Sequence, residues 1–284
     1  MQTNNNIYLP IRAFGDFIST AAILKKYASE KVPTVIPYYL KDFFESVNAS
    51  EYFNIIGYIS YQDQPAFYEL YKVKDVSNIK RLIKDVGIIW KESDKQKRFL
   101  LDFHSKRLFF LPHHYAWPDP AKNIYEGKYN LFSKYFTFKK GNFDFADYSI
   151  KSDFNKVLII PDSRIITKSI DKNLILNIQN TFAKKQIDVA YFSKNLVVDQ
   201  TNITYSTFKQ LIQLINSYDL IIGAESLPYH LANFYDKPHF VIYNDTRHFD
   251  ENFMTPFMIS NTSYANFKVD NSDEVIAKLK PFLS

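Results

Sequence analysis

The stretch YDLIIGAESLPYHLA, Tyr218 to Ala232, decides the fold. Its first half, YDLIIGA, is a continuous apolar run, the pattern of a strand buried on both faces. Its second half, from Ser226, reads as a short helix with Pro228 tolerated in the first turn. Gly223 lies at the strand-to-helix turn, where a missing Cβ permits positive φ or close approach of another backbone. The helix N-terminus offers free N–H groups to an anion, and Ser226 adds a hydroxyl. A plainer reading serves the same residues: Glu225 and Ser226 cap a helix, and His230 is half-buried one turn in.

The same unit recurs on both sides. KVLIIP (Lys156 to Pro161) is another continuous apolar run, followed by a helix with Asp171 as N-cap and Leu174, Ile175, Ile178 and Phe182 in one stripe. DVAYFS reads as a strand, and STFKQLIQLINS as a helix behind N-cap Ser206. HFVIYN is the next strand, and NSDEVIAKLKPFLS a last helix with Asn271 and Glu274 at capping-box spacing. Nearer the start, IYLPI, TVIPYY, FNIIGYI, VGIIW, RFLLDF and RLFFL are short apolar runs, with a helix after Gly15-Asp16. Residues 112–148 are aromatic and polar with weak periodicity. This alternation predicts an α/β chain of parallel sheets with right-handed crossovers. Two Rossmann-like domains facing a cleft are expected, residues 1–150 and 151–284, with the last helix a candidate to pack back on the first. Ligands of such sheets sit beyond the carboxyl ends of the strands.

Composition narrows the function. With 284 residues, 46% of them hydrophobic, the chain can bury two cores. The absence of cysteine excludes disulfides, thiolate metal sites and a cysteine nucleophile. No apolar run approaches the ~20 residues of a membrane helix, and no signal pattern opens the chain. A soluble, cytoplasmic protein is expected. The net charge of +5 resides in residues 1–150, which hold 21 Lys/Arg against 16 Asp/Glu; residues 151–284 hold 14 of each. Nucleic acid ranks last among partners, since no basic helix or RNA-binding motif accompanies that excess. Also missing are G-x-G-x-x-G, the P-loop, the G-x-S-x-G elbow and the D-x-D pair of metal-dependent sugar transferases.

Three further strand-end loops remain. In RAFGDFIST, Asp16 opens a helix beside Arg12 and Gly15. Helix capping alone accounts for an Asp there, although a carboxylate on such a loop could also deprotonate an acceptor hydroxyl. In IIPDSRIITKS, Arg164 and Lys168 precede a helix whose dipole they oppose, a placement that makes sense beside a bound diphosphate. Ser163 and Thr167 add hydroxyls, and surface cations are the ordinary alternative. In YNDTRHFDENFMTPF, the turn residues Asn244, Asp245 and Thr246 are a candidate rim for a base or sugar.

Taken in order along nearly the full chain, these loops resemble the heptosyltransferase family, glycosyltransferase family 9, which has the GT-B fold. The family opens with an apolar strand, then Arg, a spacer and Gly-Asp; Arg12, Gly15 and Asp16 match. Its second domain has a strand ending in Pro, small polar residues and a Lys before a helix, matched by Pro161, Asp162, Ser163 and Lys168. Its strongest motif, roughly D-S-G-P-M-H-L-A, is matched by Glu225 to Ala232, with Glu225, Leu227 and Tyr229 replacing Asp, Gly and Met. A G-P-T-D-like turn corresponds to Asn244, Asp245 and Thr246, with Pro256 following.

The resemblance implies metal-independent transfer, without a cofactor, of a sugar such as heptose from a nucleoside-diphosphate sugar to a glycan or glycolipid of the bacterial surface. Asp16 would be the catalytic base and Lys168 would neutralise the diphosphate. Gly223, Ser226, Leu227 and His230 would surround the phosphates, with Glu225 near the sugar or ribose. A GDP- or UDP-sugar donor, or a silent nucleotide-sugar-binding protein, are the alternatives. Residues 95–117 mix Lys, Arg and His with aromatics, and are a candidate for an anionic acceptor or peripheral contact with the inner membrane. Plain strands account for the same residues.

Overall fold

The computed structural model describes residues 6–10, 13–59, 100–103, 106–109, 124–139, 143, 154–163, 169–193, 205–243, 264–266 and 272–283. The chain divides into two units, Met1–Phe143 and Asp144–Ser284.

The second unit is built on strands β6 (Lys156–Ile160), β7 (Asp188–Tyr191), β8 (Leu220–Ala224), β9 (His239–Tyr243) and β10 (Tyr264–Asn266). They form a parallel sheet in the order β10-β9-β8-β6-β7. The apolar runs of β6 and β8 are buried on both faces, as their sequence predicts. Val157, Ile159, Leu220, Ile222, Phe240 and Ile242 share a core with the stripe Leu174, Ile175, Ile178 and Phe182 of helix α4 (Lys172–Ala183). Helix α5 (Phe208–Asn216) buries Leu211, Ile212 and Ile215, and helix α6 (Leu227–Phe234) packs on β8 and β9.

Two helix starts test the capping expectations. Asp171 caps α4, its Oδ1 accepting from Asn173 N at 2.8 Å and Leu174 N at 3.1 Å. Ser206 is not the cap of α5. Thr207 takes that place in a capping box with Gln210, because its hydroxyl reaches the Gln210 N–H. The last helix, α7 (Ser272–Leu279), sends Val275 and Leu279 into the core of its own unit, with Phe282 just beyond. Asn271 lies outside the described residues.

The connectivity places the site. From β6 the chain moves to β7 on one side, then crosses to β8 on the other. Strand order therefore reverses between β6 and β8, the switch point where loops part and leave a crevice beyond the carboxyl ends. The register sets Ile160 opposite Gly223, so the two strands end within one residue of each other.

The first unit repeats the plan with one difference. Its sheet runs β3 (Phe53–Ile59), β2 (Val32–Pro37), β1 (Asn6–Tyr8), β5 (Lys106–Phe109), β4 (Leu100–Phe103). β1, β2, β3 and β5 pair in parallel, whereas β4 and β5 form an antiparallel pair. The wholly parallel sheet expected from sequence is thus corrected to a mixed one: the two residues between β4 and β5 suffice for a hairpin but not for a crossover. That pair is the part of segment 95–117 that is described, and its backbone is strand. VGIIW lies outside the described residues. Helix α1 (Phe14–Tyr27) packs Phe17 against Phe53 at 5.2 Å between ring centroids and against Phe43 of α2 (Lys41–Ser46) at 6.0 Å. Helix α3 (Ile124–Phe132) lies within the stretch that showed weak periodicity, and packs against α1.

Candidate functional site

Two of the sequence-predicted loops leave the adjacent strands β6 and β8 at the switch point of the second sheet. After β6 come Pro161, Asp162 and Ser163; after β8 come Glu225 and Ser226. The β6 loop is closed at its base, because Ile170 N donates to Pro161 O at 2.9 Å and Ser163 N donates to Ser169 Oγ at 2.9 Å. Ser193, beyond β7, donates its hydroxyl to the Asp162 carboxylate at 3.0 Å. Near that carboxylate the Tyr205 phenol is held above its usual range, first by burial and then by the Asp162 charge. It stays protonated and able to donate, and its ring lies 4.4 Å from that of Phe192. Sequence reasoning gave no role to Ser193 or Tyr205; isolated hydroxyls carry no spacing signal.

On the β8 side, Ser226 occupies the N-cap position of α6, but its hydroxyl donates to Ala224 O at 3.3 Å instead of accepting from the first turn. The capping role expected of it is therefore absent, and Pro228 stands in the first turn as predicted. His230 is buried, with Nε2 3.3 Å from Glu225 Oε1. The extra methylene of Glu225 relative to Asp lengthens the reach of its carboxylate toward that imidazole. The His230 ring packs on Tyr229 at 4.6 Å, and Tyr229 packs on His239 at 5.2 Å.

His239, at the start of β9, is fully buried, and its pKa is pushed down to about 4. Burial is the main cause; the His230 charge adds to it, and the Nδ1 bond to Lys237 O at 2.8 Å opposes it. As pH falls below about 6.5, the unfolded chain binds a proton that the folded imidazole refuses until about pH 4. Stability from this residue is therefore lost as pH falls through that window. Denaturant titrations should show a loss of about 2 kcal/mol between about pH 6 and about pH 4.5. That slope should vanish in His239→Leu; equal slopes in both proteins would refute it.

In the first unit, Gly15 and Asp16 follow the carboxyl end of β1. Asp16 does not cap the helix. α1 starts at Phe14 with Ala13 as N-cap and no side-chain cap, so Asp16 is in the first turn. Its carboxylate instead pairs with Lys128 of α3, Nζ to Oδ1 3.6 Å apart. Nζ also donates to Asp16 O at 2.8 Å and to the Ser19 hydroxyl. Ser19 Oγ donates to Gly15 O at 2.7 Å, and Thr20 Oγ1 to Asp16 O at 2.9 Å. The Lys128 side chain is 1% exposed and that of Asp16 13%, so the lysine is sealed while the carboxylate reaches the surface. Lys128 was missed in the sequence, yet it occupies the stripe Tyr125, Lys128, Phe132, whose i, i+3, i+7 spacing belongs to a buried helix face.

Arg12, Arg164, Thr167, Lys168, Asn244, Asp245 and Thr246 lie outside the described residues. Of the others, Ser163 lies in the loop after β6, and Glu225 and Ser226 lie between β8 and α6, whose first residue is Leu227 and which also carries His230. Gly15 and Gly223 are not in strand-to-helix turns as expected: Gly15 is in the first turn of α1, with Asp16, and Gly223 is the fourth residue of β8.

No protein-family model matches the chain, and no curated protein is similar to it in sequence. Solved structures are. The E. coli heptosyltransferase WaaC with ADP superposes with a TM-score of 0.59 at 10% identity, covering 97% of this chain and 99% of that one. E. coli ADP-heptose lps heptosyltransferase II gives 0.57 at 12% identity over 98% of both chains. A family 9 glycosyl transferase from Veillonella parvula gives 0.61 at 12% identity, covering 100% of this chain and 98% of the other. The chain has the heptosyltransferase fold. Identity this low leaves few side chains in common, so the likeness fixes the course of the backbone and not the chemistry. Among the described residues, no helix is long and apolar enough to cross a membrane.

Proposed function

We propose that this chain is a cytoplasmic glycosyltransferase that moves a sugar, with heptose the first candidate, from a nucleoside-diphosphate sugar to a glycan or glycolipid of the bacterial surface. The observation that carries the reading is the switch point of the second sheet, where β6 and β8 end within one residue of each other and the N-terminus of α6 follows β8. Oriented N–H groups at such a terminus stabilise the charge that grows on a leaving diphosphate. Structures of the same fold hold ADP and an ADP-heptose analogue, which supports a nucleotide donor here.

In this reading Ser163 and Ser226 supply hydroxyls to the phosphates, with Arg164, Thr167 and Lys168 adding donors and positive charge from the loop after β6. The Glu225–His230 pair borders the same N-terminus, and Asn244, Asp245 and Thr246 form the rim. Asp16 removes the proton of the acceptor hydroxyl as it attacks the anomeric carbon, with Arg12 and Gly15 on the acceptor side. No metal takes part. Residues 95–117 are a candidate surface for the anionic acceptor or the inner membrane.

A thermal-shift panel of ADP-, GDP-, UDP- and CDP-sugars tests the donor. At a ligand concentration 100 times Kd, the bound nucleotide adds about 2.7 kcal/mol of stability. One nucleotide should therefore stand out, equally with and without chelator. A flat response to all four would overturn the reading, and a shift without any transfer would favour the silent binder.

A further inference from the structure

Lys128 is the most anomalous residue in the described structure. A lysine on the buried stripe of a helix gives up its hydration, and a hydrophobic residue of similar volume would fill that position without the loss. The geometry shows what is gained instead. Its ammonium bridges α3 to the first turn of α1, hydrogen-bonding Asp16 O and the Ser19 hydroxyl and lying 3.6 Å from Asp16 Oδ1. Ser19 hands the interaction on to Gly15 O, and Thr20 contributes a second hydroxyl to Asp16 O. These contacts gather around Gly15-Asp16. The two partners differ in access: the Lys128 side chain is sealed, whereas that of Asp16 is partly exposed.

We propose that Lys128 is the positioning residue for Asp16, holding its carboxylate ionised and fixed in direction for proton removal from the acceptor hydroxyl. This rests on the glycosyltransferase reading, in which Asp16 is the base. Lys128 touches no substrate. It acts through Asp16 alone, so its loss changes the rate of transfer and leaves the donor site in the second unit unaltered. A carboxylate displaced by about 1 Å can lose 10²-fold in rate.

The test compares four proteins: the parent, Lys128→Met, Asp16→Asn and the double variant. Turnover is read as nucleoside diphosphate released from ADP-, GDP-, UDP- and CDP-sugars with lipopolysaccharide core as acceptor. Lys128→Met should lower kcat about 100-fold with donor KM unchanged. The double variant should be no slower than Asp16→Asn, because the lysine has nothing left to position. In thermal melts, Lys128→Met should unfold at a lower temperature than the double variant, since it alone leaves a carboxylate facing an apolar side chain. If Lys128→Met does not fold, Lys128→Gln, which keeps hydrogen-bond donors without the charge, takes its place with the same expectations for kcat and donor KM. Additive losses in kcat, or a rise in donor KM matching the fall in kcat, would overturn the positioning role and leave the transferase reading intact. A parent protein that binds and transfers none of the four sugars overturns both.

Discussion

Asp16→Asn is expected to lower kcat by about 10²- to 10⁴-fold, the usual worth of a positioned general base. Affinity for the nucleotide should not change. Asn has the size of Asp, and the Ser19 and Thr20 hydroxyls bond to backbone carbonyls of Gly15 and Asp16 that the substitution leaves in place. What disappears is the capacity to accept a proton and the charge facing Lys128. Donor affinity serves as the internal control, because the proposed phosphate-binding residues belong to other strands in the second unit. Steady-state rates beside nucleotide titrations decide the matter: a folded Asp16→Asn protein working at the parent rate removes Asp16 from the chemistry.

Gly223→Ala should be the most damaging single-methyl change in the second unit. A Cβ at Gly223 would lie 2.8 Å from Ile160 O, the backbone of the neighbouring strand. That carbonyl cannot swing aside as a side chain does, so β6 and β8 must move apart where both are fully buried. A loss of about 3 kcal/mol is expected, at the upper end of overpacking costs. In a chain of this size that is a fall in Tm of about 2–4 °C per kcal/mol. The loops after both strands would shift with them, so the nucleotide that stabilises the parent should bind more weakly. A variant that melts with the parent would show that the two strands adjust without strain.

Much of this was legible in the sequence where one physical requirement dominated. Strands buried on both faces must be apolar throughout, and β6, β8 and β9 were read from that alone. The stripe of α4 and its Asp171 cap were equally plain. Gly223 was picked out for close backbone approach, and the Ile160 carbonyl supplies the reason. Legibility failed where the deciding partner is distant in sequence. Asp16 looked like a cap because capping is local, whereas Lys128, which pairs with it, is 112 residues away. Lys128 was invisible because a lysine interrupts the very stripe that marks a buried face, and Gly127 beside it weakens the helix pattern further. β10 was missed, since a strand of three residues leaves too short a period to read. The runs of β4 and β5 were recognised, but their antiparallel pairing was not.

The tie between α1 and residues 106–139 also governs how the protein is made. β1 has β2 on one side and β5 on the other. The end of α1 is fastened late as well, Ser29 N donating to Thr137 O and Lys139 N to Tyr27 O. A chain still emerging from the ribosome can pair β1, β2 and β3 early, but it then carries an unpaired inner edge on β1 until β5 arrives. Asp16 meanwhile waits without its lysine until α3 is synthesised. The half-made first unit is thus a stage open to aggregation, and the Asp16 carboxylate is among the last features of that unit to be completed.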